Sequence, residues 1–182
     1  MATPPTFGNA PRIYYARSGL PGSHTAREAL LAGVRQEGFN AVLIPAPWLC
    51  PAGARTLAPI DADHAPTPEG GVEPLSARLA READSAARHG LALLLRLELQ
   101  RVARDARDDT APAAWYREPP DDPARDPRLP LSEHGVRQLR DDPPAGFMAA
   151  WAARLLRWTR AGVAGYVVPP PPALDAPAWR AL

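Results

Sequence analysis

Three times along this chain a segment of helical periodicity runs into a glycine, and a short apolar run follows at once. Gly38 precedes Phe39 to Ile44, Gly90 precedes Leu91 to Leu99, and Gly162 or Gly165 precedes Tyr166 to Val168. Glycine at a helix C-terminus adopts the left-handed conformation that closes the last turn. An apolar run without polar alternation suits a strand buried on both faces, as in a parallel sheet. Arg12 to Arg17, rich in aromatic and β-branched residues, supplies one more strand ahead of the first helix. The leucine run after Gly90 has helical composition, but its place directly behind a capped helix favours a strand.

The helices carry their own signals. Ser23 or Thr25 can cap the first, with Glu28 three residues after Thr25 as in a capping box. Ala29, Leu30, Gly33, Val34 and Glu37 continue it at helical spacing. Pro74 to His89 is amphipathic: Leu75, Leu79, Glu82, Ala83 and Ala86 share one side, and Arg78, Arg81, Asp84, Ser85 and Arg88 supply a solvated one. Phe147 to Arg160 places Trp151, Leu155 and Trp158 on one apolar face. Pro45 to Val72 is a long loop, of the kind that is usually functional in a compact domain. Arg104 to Pro144 is irregular, with a short helix expected near Ser132 to Leu139. Met1 to Pro11 is expected to be a loose tail, residues 12–182 one domain, and Ala176 to Leu182 the start of another helix.

The order is therefore βαβαβαβ, an α/β fold. Strand and helix in alternation imply right-handed crossovers and a parallel sheet. Four such strands fit half of a (β/α)8, TIM-type barrel or a small open sheet. The phosphate-loop and dinucleotide fingerprints are absent. Gly19-Leu20-Pro21-Gly22-Ser23 has no following lysine and fails the GxGxxG spacing, which weakens the open sheet.

Composition narrows the function. All 21 basic residues are arginine, they face 20 acidic residues, and the net charge is +1. No basic stripe offers a footprint for nucleic acid. The 24 prolines gather between the periodic segments, as loop residues do. Cys50, the sole cysteine, can form no internal disulfide, and a reducing cytoplasm is expected. Met1 to Pro11 lacks the pattern of a signal peptide. Leu91 to Leu95 is too short an apolar run to span a bilayer, so no membrane partner is expected.

Three stretches carry a family resemblance. They are Ile13-Tyr14-Tyr15; the run from His89-Gly90 through Arg96, Glu98, Gln100 and Arg101; and Gly162-Val163-Ala164-Gly165-Tyr166-Val167-Val168-Pro169. They resemble the first, third and fourth strand signatures of the α-amylase superfamily, glycoside hydrolase family 13. Within it they are most similar to the maltosyltransferases that extend α-1,4-glucans from maltose 1-phosphate. Pro171 and Trp179 fall where that branch carries a proline and a tryptophan. The resemblance covers the N-terminal half of a family barrel. It implies glucan chemistry, and by the same alignment the chemistry is missing. Arg96 stands where the family has an aspartate, Gln100 and Arg101 replace its Asn-His, Val167 replaces an arginine, and Pro169 replaces the nucleophilic aspartate. The family's general acid and a further carboxylate come from strands five and seven, outside the matching stretch.

Glycoside chemistry of the retaining kind needs two carboxylates about 5–5.5 Å apart. Proline has neither an ionisable group nor an N–H. An arginine brings a fixed positive charge where an oxocarbenium-like transition state needs the opposite sign. No catalytic residue is therefore assigned, and no cofactor or metal is expected. Arg96, Glu98 and Gln100 share parity, either as a sugar-binding floor or as a polar plug at the barrel mouth. Asp63 and His64, with Asp61, could suggest a metal site but fit turn formers better; the resembled family has a loop aspartate here that shapes its sugar site. Trp48, Trp115 and Tyr116, on loops, are candidate sugar platforms, whereas Trp151 and Trp158 belong to a core. Three functions stay open: a non-catalytic amylase-like module that contacts α-glucan or a maltosyl ligand, a segment of an active maltosyltransferase or hydrolase, and a protein–protein adaptor. A half-barrel has open edges, so a second half-barrel, another domain or a second copy is the expected partner.

Overall fold

The computed structural model describes residues 10–50, 58–106, 114–117, 136–140 and 145–169. Most of the expected tail and the helix expected from Ala176 lie outside them. A four-stranded sheet organises the rest. Its strands are β1 (Ile13–Tyr15), β2 (Ala41–Pro45), β5 (Ala92–Arg96) and β9 (Gly165–Val167), side by side in that order. All three pairings are parallel, as the βαβαβαβ order demands. The crossovers carry α1 (His24–Gln36), α2 (Leu75–Arg88) and α3 (Ala145–Arg160).

Each helix closes in the same way. The residue after the glycine donates its N–H to a carbonyl five residues back: Phe39 to Val34, Leu91 to Ala86 and Val163 to Trp158. This six-to-one bond needs a left-handed residue before it, and Gly38, Gly90 and Gly162 supply it with φ of 84°, 68° and 105°. Gly162, and not Gly165, thus ends α3. Gly165 lies within β9, where an added Cβ would come 3.2 Å from Leu94 Cδ2.

Side-chain alternation divides the sheet into two faces. Val42, Ile44, Leu93 and Leu95 join the main core with Leu31, Val34, Leu75, Leu79, Trp151 and Trp158 from the helices. The opposite face carries smaller side chains. Ala41, Ala92 and Leu94 form a separate cluster there with Leu43 and Ala164. Register stacks this face in rows across the strands: Tyr15, Leu43, Leu94 and Gly165 make one, and Pro45, Arg96 and Val167 the next.

Four expectations need correction. The capping box does not form: Ser23 is the N-cap of α1 without a side-chain bond, and Glu28 turns instead to Arg88 and His89. Ser85 is buried inside α2's packed face and not solvated. The long loop holds a hairpin, β3 (His64–Pro66) against β4 (Val72–Pro74), ahead of α2. The short helix expected near Ser132 to Leu139 is, over its described part, the strand β8 (Val136–Leu139). It pairs antiparallel with β6 (Arg101–Ala103) and β7 (Tyr116–Arg117). Buried Val136 and Leu139 pack as strand residues against long-range neighbours, a pairing that local periodicity does not reveal.

Candidate functional site

In a parallel sheet with crossover helices, ligands meet the C-terminal ends of the strands. Here those ends, on the face opposite the helices, carry Pro45, Arg96 and Val167 as one row. Val167 is 39% exposed, and its carbonyl accepts from Leu97 N–H at 3.0 Å. Pro169, two residues on, is half-buried, and so are Arg96, Glu98 and Gln100. Leu97 and Leu99 between them are fully buried, so the shared parity of Arg96, Glu98 and Gln100 persists past the end of β5. Arg101 begins β6 opposite Gln138. Neither the row nor Pro169 contributes a carboxylate.

The loop aromatics are brought together, but as core. Trp48 is buried and meets Trp151 edge to face at 6.2 Å. Tyr116 is buried, donates its hydroxyl to Leu99 O at 3.3 Å and packs at 6.3 Å on Phe147. Burial raises its phenol well above the ordinary range. Trp115 is half-buried and stands edge-on to Phe147 at 5.6 Å. Phe147 and Trp151 are themselves neighbours on α3. The expectation of open stacking platforms at Trp48 and Tyr116 is therefore corrected: the apolar face of α3 draws these rings inward, since a buried aromatic surface gains more than an exposed one.

Asp63 and His64 follow β2's long connection. Asp61 is buried, bonds Nδ1 of His64 through Oδ2 at 2.8 Å, and accepts the Asp63 backbone N–H through Oδ1 at 2.8 Å. That is an Asx-type turn. The Asp63 carboxylate points to α3 and binds Arg154 and Arg157. Arg154, buried on α3 and 5.2 Å from the Trp151 ring, escapes a reading by hydrophobic pattern. Its only signal in the sequence is a cation three residues after Trp151 on the apolar side. Cys50 is half-buried, and burial pushes its thiol up to about 11, which leaves it a poor nucleophile. Among the described residues, no group of three or more His, Cys, Asp or Glu side chains is arranged to hold a metal ion. No helix among them is long and apolar enough to cross a membrane.

No family profile matches the chain. The α-1,4-glucan:maltose-1-phosphate maltosyltransferase of Burkholderia pseudomallei is 33% identical over 192 residues, taking in 100% of this chain and 16% of that protein. Among solved structures, an α-amylase from Lactobacillus plantarum superposes with a TM-score of 0.66 at 19% identity, over 93% of this chain and 40% of its own. The α-amylase of Geobacillus thermoleovorans, complexed with acarbose, gives 0.65 at 14% identity, over 93% and 42%. A noncanonic maltogenic α-amylase, AmyB from Thermotoga neapolitana, gives 0.64 at 17%, over 94% and 42%. The chain thus spans a small part of its sequence relative and well under half of these structures. At such identities the structural likeness is one of fold: the four-stranded sheet is part of a (β/α)8 barrel.

Proposed function

Because this chain is a partial barrel of the α-amylase type, similar in sequence to a maltosyltransferase, we propose that it serves α-glucan metabolism as a non-catalytic module. The observation that carries this reading is the row of Pro45, Arg96 and Val167 at the strand ends, with Pro169 beyond it. Chemistry at a glycosidic bond calls for a pair of carboxylates there. The row and Pro169 together offer a cation, two prolines and a valine. The test is chain extension of glycogen from maltose 1-phosphate, followed as released phosphate, for this chain and for the whole product of its reading frame. No turnover is expected from this chain. Turnover by the whole product that Pro169→Ala abolishes would overturn a non-catalytic role for this strand end.

The module is expected to need a partner. Ile13, Tyr15 and Val167 are exposed by 38%, 41% and 39% on the face opposite the helices, and β1 and β9 are the edges of the sheet. Unpaired strand edges invite further strands. A second half-barrel fits this face best, with another domain or a second copy as alternatives. Size-exclusion chromatography with an apolar dye checks it: a stable monomer that binds no dye contradicts the need for a partner. Calorimetry with maltose, maltose 1-phosphate and glycogen separates a glycan-binding module from an adaptor.

A second reading has a specific observation in its favour. The match to the maltosyltransferase runs through the whole of this chain, as it would in a segment of an active enzyme whose carboxylates come from elsewhere. The whole reading-frame product would then turn over, and its activity would survive Pro169→Ala.

A further inference from the structure

The two edges of the four-stranded sheet match each other. Among the described residues β1 leaves one side unpaired and β9 the other. All four strands run the same way. A two-fold axis parallel to the strands keeps that direction. It sets β9 of one copy beside β1 of a second, and β9 of the second beside β1 of the first. Two such seams leave no open edge and turn four strands into eight. Closure also needs the strands staggered in one sense. Ile13 stands level with Ala41 and Ala92, whereas β9 begins at Gly165, level with Leu94 and two residues further along. An eight-stranded barrel of shear eight climbs by about one residue per strand. This sheet climbs by two over its three pairings.

Bulk and charge are complementary as well. On the face opposite the helices, the β1 edge carries the exposed Ile13 and Tyr15, and the β9 edge carries Gly165, which has no side chain. Each seam therefore brings a large-residue edge to a small-residue one, which suits the filled interior of a barrel. Arg96 and, past the end of β5, Glu98 share this face, and both are half-buried. Among the described residues neither side chain has a hydrogen bond or an ion pair. β5 is the third strand of four, so the two-fold puts it opposite its own copy across the barrel. Arg96 then faces the partner subunit's Glu98, and Glu98 faces the partner subunit's Arg96. Such a contact is self-complementary, and these two pairs leave the closed mouth neutral.

We propose that the second half-barrel is a second copy of this chain, joined along both sheet edges in a two-fold dimer, with Arg96 and Glu98 paired across its mouth. This dimer rests on the module's need for a partner and supplies that partner from the chain itself.

The experiment is sedimentation equilibrium of the 182-residue chain over a concentration series, with apolar-dye fluorescence on the same samples. A reversible dimer that binds little dye is expected. Val167→Asp puts a carboxylate inside the closed barrel and should give a dye-binding monomer. Val167 is exposed in the single chain, so the variant's circular dichroism should match the parent's. Should that variant fail to fold, the charge pair decides. Arg96→Glu gathers four carboxylates at the mouth and should weaken the dimer by about tenfold or more. Arg96→Glu together with Glu98→Arg should restore it, because in a dimer of identical chains both members of each pair change together. A monomer at every concentration, assembly beyond the dimer, a dimer unchanged by Val167→Asp or Arg96→Glu, or a swap that restores nothing would each overturn the proposal. A monomer that binds dye would leave the need for a different partner intact, and a monomer that binds none would remove that need too. None of these readouts depends on glycosyl transfer.

Discussion

The carboxylate of Asp63 accepts a hydrogen bond from Nη2 of Arg154 at 3.2 Å, across 91 residues of sequence. This contact fastens the connection after β2 to the middle of α3. Arg157 binds the other carboxylate oxygen, and Arg154 lies buried against Trp151. A buried guanidinium needs its anion more than an exposed one does. Asp63→Asn should therefore lower stability by about 1.5–3 kcal/mol, the range for hydrogen bonds to charged groups. Urea denaturation measures it. An unchanged midpoint would show that Asp63 is free for a ligand.

Much of the sheet was legible because its signals are local. The glycine at each helix end and the apolar run behind it, Gly38 with Phe39 to Ile44 and Gly90 with Leu91 onwards, lie next to each other in sequence. The crossovers follow from their order. The second sheet was not legible. Val136 to Leu139 pairs with Arg101 to Ala103 and with Tyr116, and no local pattern encodes such distant partners. At the candidate site, the residue types at Arg96, Val167 and Pro169 could be read off directly. The fates of Trp48, Tyr116 and Asp63 could not, because each depends on what α3 presents: Trp151, Phe147 and Arg154. A loop position in the sequence does not say whether a ring faces solvent or core.

Trp48 offers a sharp test of that difference. As an open sugar platform it could be removed at little cost to the fold. Its edge-to-face contact with Trp151 at 6.2 Å and its burial place it in the core. Trp48→Ala should cost about 3–5 kcal/mol, read as a shift of the denaturation midpoint. A loss under ~1 kcal/mol would return Trp48 to the surface.

Gly162 and Gly19 separate backbone strain from crowding. Both have positive φ, 105° and 78°. A Cβ at Gly19 would meet nothing within 4 Å, whereas one at Gly162 would come 2.8 Å from Ala83 Cβ. Gly19→Ala should cost only the left-handed penalty of about 1–2 kcal/mol. Gly162→Ala adds a clash between α2 and the end of α3 that neither backbone can relieve cheaply. Its loss in stability should exceed that of Gly19→Ala, and equal losses would remove the packing role assigned to Gly162.

Glu28 supplies a pH dependence. Its Oε2 lies 2.9 Å from His89 Nε2 and its Oε1 2.9 Å from Arg88 Nη2, joining α1 to the end of α2. The His89 hydrogen bond first, and then Arg88, hold the carboxyl down from 4.5 to about 2. A carboxyl with a lowered pKa in the folded state binds fewer protons there than in the unfolded chain at intermediate pH. Its contribution is thus fully present above about pH 4.5 and disappears as pH falls towards 2. Glu28→Gln removes the titrating group. The variant should be less stable than the parent at pH 7, and the gap should close between about pH 4.5 and 2 in thermal melts taken across that range. A gap that stays constant down to pH 2 would mean that the bonds to His89 and Arg88 do not survive in solution.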